Sequence, residues 1–175
     1  MNWSTLFKIS ARYGAVSGIL AFILLILSYY MGRHPMLVSP LLDFRVLLFG
    51  IFIFFALREF RDSVQEGLLS FAQGMLGALV VVFVSSLITS VALVTFGNWE
   101  NGFVNMFISQ SIDYLKTFPK EDIERIGKEV YERNLNALPA TNISDLAKTY
   151  FVQGSVIGFF VSIIVSVILR RQPKN

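Results

Sequence analysis

The chain has 175 residues, of which 54% are hydrophobic, with no cysteine, a formal charge of +3 and a mean hydropathy of +0.62. That apolar content exceeds what one soluble core of this size needs, so lipid is the expected second solvent. The missing cysteine excludes disulfides, cysteine-ligated metals and thiolate nucleophiles. The basic balance does not argue for nucleic acid, because Lys and Arg stand at the edges of apolar runs, where membrane orientation accounts for them.

Three intervals carry no charge, between Arg12 and Arg33, between Glu66 and Glu100, and between Lys148 and Arg170. A charge near the bilayer centre costs roughly 2.5–3.5 kcal/mol, and a crossing helix needs roughly 20 apolar residues, so each interval predicts a span. The first span is expected over about residues 13–31, after a short interfacial segment in which Trp3, Leu6 and Phe7 share a helical face. Lys8 and Arg12 before an apolar run suggest a signal peptide, but the run is too long and ends in Ser28-Tyr29-Tyr30-Met31, without a cleavage pattern. A retained helix is expected.

A second span is predicted over about residues 40–60. Only the stretch Val46 to Leu57 is uncharged, so the helix must extend back to Ser39 as N-cap and Pro40 at the first position. Asp43 would then sit near the positive helix end, and Arg45 would snorkel. Phe49, Phe52, Phe54 and Phe55 give this span little small-residue surface, which makes it the most lipid-exposed. A charged turn, Arg58 to Gly67, leads to a third span over about 71–96, opened by a capping box at Ser70 and Gln73 and ended by Gly97 and Asn98 with Trp99 at the interface.

Residues 97–148 form the polar segment. Val104, Ile108, Ser111, Ile112 and Leu115 share one face of an amphipathic helix. Pro119 opens a second helix with Glu121/Arg125, Glu124/Lys128 and Glu129/Arg133 at i, i+4 and an apolar stripe of Ile123, Ile126 and Val130. After a turn from Pro139 to Asn142, Ser144 caps the last helix, whose span covers about 149–169. Lys8, Arg12, Arg58, Arg61, Arg170, Arg171 and Lys174 cluster in short flanks on one side, which predicts both termini in the cytoplasm and the polar segment outside. The expected fold is all-α, one membrane domain built as a four-helix bundle with a two-helix extracytoplasmic insertion between spans three and four.

Small residues at four-residue spacing mark packing faces, since helices in lipid associate through close backbone approach. Gly154, Gly158, Ser162 and Ser166 form such a ridge, with Gly14 and Gly18 in the first span and Gly74 and Ala78 in the third. The ridges serve either packing within one bundle or self-association. Phe71-Ala72-Gln73-Gly74 and Phe151-Val152-Gln153-Gly154 open oppositely directed spans with similar words, a weak hint of the inverted repeats found in transporters. Ser85, Ser86, Thr89 and Ser90 either line a polar path or, more commonly, bond helix carbonyls and neighbouring helices. No ionisable side chain is expected at mid-membrane depth, which argues against an ion-coupled transporter.

No catalytic motif is present, and the lone His34 reads as a loop residue without metal partners. Asn142-Ile143-Ser144 matches a glycosylation sequon by chance. No catalytic residue, metal or cofactor is expected. The first span with its glycines, the charged turn, the run Gly67-Leu68-Leu69-Ser70-Phe71-Ala72-Gln73-Gly74, the amphipathic stretch and the basic tail together resemble the bacterial membrane proteins grouped as domain of unknown function 4199 (DUF4199), common in Bacteroidota. The resemblance implies a four-helix inner-membrane protein over nearly the whole chain, and carries no catalytic residues. The expected function is a non-catalytic assembly, accessory or scaffold component, surrounded by lipid and paired with itself or another membrane protein. The alternative is a small permease or channel subunit using the third span.

Overall fold

The structure, a computed structural model, describes residues 2–39 and 42–172. It holds seven α-helices among those residues: α1 Trp3–Tyr30, α2 Phe44–Val64, α3 Phe71–Trp99, α4 Gly102–Lys116, α5 Lys120–Ile126, α6 Lys128–Ala137 and α7 Ile143–Leu169. Helices α1, α3 and α7 are long and apolar enough to cross a membrane, with mean hydropathies of 1.9, 2.5 and 2.3 over their most apolar stretches. Helix α2 does not meet that measure, because Arg45 stands at one end and Arg58, Glu59, Arg61 and Asp62 at the other. Its 21 residues nevertheless rise about 31 Å, and it packs along α1, α3 and α7.

Close contacts give the helix directions. Gly14 faces Val81 and Gly18 faces Ser85, so α1 and α3 run side by side in the same sense. Gly74 meets Ser166, Gly154 meets Ser86 and Gly97 meets Ile143, so α7 runs against α3. Two apolar clusters fill the ends. One joins Leu6, Ile9, Leu57, Phe60, Leu69 and Leu169. The other joins Leu25, Leu93, Phe103, Leu146 and Tyr150, with Phe44 against it, which sets α2 antiparallel to α1. At the first end Leu69 and Arg171 exchange backbone hydrogen bonds of 2.9 Å in both directions, tying the start of α3 to the tail of α7.

Several local expectations change. Trp3, Leu6 and Phe7 belong to α1 itself, capped by Asn2, and Leu6 is fully buried rather than interfacial. Helix α2 begins at Phe44 with Asp43 as its cap, so Ser39 does not cap it; Pro40 lies outside the described residues. The Asp43 carboxylate is the better placed acceptor, because it also meets a guanidinium. Phe49 is buried with Ile53, Ala56, Leu57 and Phe60, and of the four phenylalanines only Phe55 is clearly exposed, so α2 has a packed face after all. The capping box of Ser70 and Gln73 is present. Helix α3 runs through Gly97 and Asn98 to Trp99, since Gly97 is a contact point for Ile143 and not a terminator. Gly127, at φ +95°, splits the second helix expected in the polar segment into α5 and α6. That break separates Glu124 from Lys128, and the ion pairs are instead Arg125–Asp122 at 3.5 Å and Lys128–Glu132 at 3.7 Å. Asn142, not Ser144, caps α7 by accepting from the Asp145 N–H at 3.0 Å.

Candidate functional site

The best-built polar site lies where α2 begins. The Asp43 carboxylate accepts the Arg45 backbone N–H at 2.8 Å and the Arg45 Nε–H at 2.8 Å, and pairs with Arg45 Nη2. The guanidinium donates from Nη1 to the Tyr150 carbonyl at 2.9 Å and from Nη2 to Gln153 Oε1 at 3.4 Å. It also stacks 3.9 Å from the centroid of the Tyr150 ring. Both partners are buried, with side chains 4% and 6% exposed. Desolvating such a pair costs several kcal/mol, and only dense hydrogen bonding of the kind found here offsets it.

Gly154 makes the approach possible. A Cβ there would stand 2.9 Å from Ser86 Oγ and 3.4 Å from Arg45 Nη1. The guanidinium therefore occupies the gap that a small residue opens between α7 and α3. Gly154 is six residues along α7 from Lys148, about 9 Å deeper along the axis, and Ser86 lies midway along α3. Arg45 therefore does not snorkel, as the sequence suggested. It turns inward and is neutralised by the residue two positions before it. A buried ionisable pair therefore stands at the start of α2, and such pairs are costly enough to mark functional positions in membrane proteins.

Beside this pair, α4 is fastened onto the loop between α1 and α2. His34 is 1% exposed, with its ring 4.5 Å from that of Phe103 and 5.1 Å from that of Phe107. Its Nδ1 accepts the Met36 N–H at 3.4 Å, and Gln110 bridges the same loop by accepting from His34 N and donating to the Gly32 carbonyl, both at 3.0 Å. Burial pushes the His34 pKa down to about 4, so the imidazole is neutral at pH 7. His34 is thus an aromatic-box residue rather than a free loop side chain. Between the loop, α4, α2 and α7 opens a cleft of about 610 Å³ that the Asp43–Arg45 pair helps to line.

The residues singled out as packing positions all lie at helix contacts. Gly14 and Gly18 touch α3, Gly74 touches Ser166 and Gly158 touches Val82. Ala78, Ser162 and Ser166 are fully buried. Of the hydroxyls assigned to a polar path, Ser85 donates to Ser17 at 3.1 Å, and Thr89 reaches the Gly18 and Ser85 carbonyls at 3.0 and 2.9 Å, so both are engaged along the α1–α3 contact. Ser86 and Ser90 have buried hydroxyl oxygens with no partner among the described residues. The two Phe-x-Gln-Gly words lie at different levels of the antiparallel α3–α7 pair, and in each the glycine faces a serine of the other helix, Gly74 with Ser166 and Gly154 with Ser86. Their glutamines differ in use. Gln73 closes a capping box, and Gln153 accepts from Arg45.

Sequence reasoning missed Asp43, Arg45, Tyr150 and Gln153 as one constellation. A signal was available: the uncharged run of α2 is too short to span by itself, and an acidic residue stands two positions from the arginine that must enter. Among the described residues no group of three or more His, Asp and Glu side chains converges as a metal site would require.

Three apolar spanning helices packed around buried small and hydroxyl residues define an α-helical membrane protein. The family profile described as "Protein of unknown function (DUF4199)" matches residues 12–171, and the chain belongs to that family. No match is found among curated proteins or among solved structures.

Proposed function

We propose that this chain is a non-catalytic accessory or scaffold protein of a bacterial inner membrane, whose four-helix bundle crosses four times with both termini in the cytoplasm. In this reading α2 is the fourth crossing, and residues 97–148 form an extracytoplasmic segment presented to another membrane protein or a second copy. One observation carries it. The small-residue ridges of the long helices pack against one another, whereas α5 and α6 keep an open apolar stripe, with Ile126 46% and Val130 37% exposed between charged neighbours. Exposed Met31, Leu42 and Trp99 lie at the same end as this segment, as side chains at a lipid boundary would.

Because the chain has no cysteine, single introduced cysteines read the topology directly. A Cys at exposed Asn136 should be labelled from outside by a membrane-impermeant maleimide, and one at Ser63 only after permeabilisation. A photo-crosslinking amino acid at Ile126 or Val130 should capture a protein, while one at lipid-facing Ile19 should not. Equal yields at all three positions would overturn the scaffold reading. A permease is the second reading, supported by the Ser86 and Ser90 hydroxyls, unpartnered among the described residues, of which Ser86 lies near the buried pair. It requires solute flux in liposomes that falls when Ser86 becomes Ala.

A further inference from the structure

We infer that the cleft beside Arg45 is a binding site for a membrane phospholipid, holding the phosphodiester at its polar end and an acyl chain along α7. The inference does not depend on the scaffold reading. The cleft has two chemically distinct walls. Its lower wall is Val152, Val156 and Ile157 of α7, and Val152 and Val156 are 58% and 53% exposed although they lie one to two turns deeper in the span than Lys148. Beside these stand the polar groups of Arg45, Gln153 and Tyr114, and Met36, Leu37 and Val38 of the loop complete the lining. An occupant must therefore be apolar at one end and polar at the other, and the bilayer itself supplies such molecules on the side where the valines are exposed.

The polar wall also selects the headgroup. Its carboxylate and amide acceptors are already used: the Asp43 carboxylate by Arg45, Gln153 Oε1 by Arg45, and Gln110 Oε1 by the His34 N–H. Several of its donors are not. Among the described residues the Gln153 amide nitrogen and the Tyr114 hydroxyl donate to no protein group, and Arg45 Nη1 has used one of its two hydrogens. A wall of spare N–H and O–H groups takes a ligand with acceptor oxygens, which a phosphodiester provides. The pair as a whole is neutral, so the site recognises acceptor geometry more than net charge. The volume of about 610 Å³ falls within the roughly 300–1,000 Å³ of small-ligand pockets. It suits a headgroup with the upper part of one chain.

The test is native mass spectrometry of the full-length protein released from detergent after equilibration with phosphatidylglycerol, compared with equimolar diacylglycerol and with inorganic phosphate. Val156→Trp fills the apolar wall from an already exposed position, and Tyr114→Phe removes one donor, so both leave the Asp43–Arg45 pair intact. The expected result is retained phosphatidylglycerol on the wild type, at least tenfold less on Val156→Trp, a several-fold loss on Tyr114→Phe, and little retained diacylglycerol. Unchanged melting temperatures would show that the variants are folded. Equal retention by wild type and Val156→Trp would overturn the inference, as would displacement of the lipid by millimolar inorganic phosphate, which would mark a site for a free anion.

Discussion

Replacing Asp43 with Asn should destabilise this protein far more than one lost surface charge would, and a second substitution should recover much of the loss. Asn caps a helix as well as Asp does, so Asp43→Asn leaves the start of α2 intact and removes only the charge that faces the guanidinium. Arg45 would keep the Tyr150 carbonyl and Gln153 but lie buried without a counter-charge. Breaking a buried pair in this way costs about 3–5 kcal/mol, or roughly 10²- to 5 × 10³-fold in the folding equilibrium. Arg45→Met alone strands the carboxylate, and the expected cost is similar. In the double variant neither charge remains, Met fills part of the guanidinium volume, and the Tyr150 carbonyl is in position to keep a helical partner, so the loss should fall to about 1–2 kcal/mol. The coupling energy would then be several kcal/mol. Reversible unfolding in mixed micelles, followed by far-UV circular dichroism for the four members of the cycle, measures it. Additive single losses, or an Arg45→Met cost within about 0.5 kcal/mol of wild type, would refute the claim that the pair is buried and coupled.

The glycines give a paired prediction. Gly14→Ala places a Cβ 2.8 Å from the Val81 carbonyl and 2.9 Å from Val84 Cβ, so α1 and α3 must separate, at about 1–3 kcal/mol. Gly50→Ala meets nothing within 4 Å and should be neutral or stabilising by up to about 1 kcal/mol, so equal effects in the same unfolding assay would contradict the packing described. His34 predicts a pH dependence. Its folded pKa of about 4 lies below the ordinary 6.5, so the unfolded chain takes up the proton first as pH falls. Stability should be full above pH 6.5 and decline by about 3 kcal/mol as pH drops to 4, with no further change from this group below that. His34→Asn keeps an acceptor near Met36 N and cannot ionise, so its melting temperature should lose this component of the acid dependence. An unchanged pH profile in that variant would refute the assignment.

Much of the architecture was legible because lipid imposes simple rules on a sequence. Long charge-free runs located α1, α3 and α7, and regularly spaced small residues marked the faces that touch, since only such residues let helix backbones approach. The capping box at Ser70 and Gln73 was legible for the same local reason, two side chains three residues apart satisfying two backbone groups. Cap choice elsewhere was not. Asp43 prevailed over Ser39 and Asn142 over Ser144, because several neighbouring residues could cap each helix.

What only the tertiary structure decided is the fate of the charged and aromatic groups at the end where α2 begins. From sequence, Arg45 had lipid on one side and water on the other, and snorkelling was the cheaper expectation for one helix considered alone. Folding supplies a third environment, with Asp43, the Tyr150 carbonyl and ring, and the gap beside Gly154 converging from residues about a hundred positions apart. The same holds for His34, whose box is closed by Phe103 and Phe107 of a helix that composition marked only as amphipathic. The sequence by itself determined the apolar helices suited to a membrane and the small-residue faces along which α1, α3 and α7 meet, but not the packed face of α2. Whether a charge at the membrane edge turns outward or inward depends on partners brought from elsewhere in the chain, and only the fold assembles them.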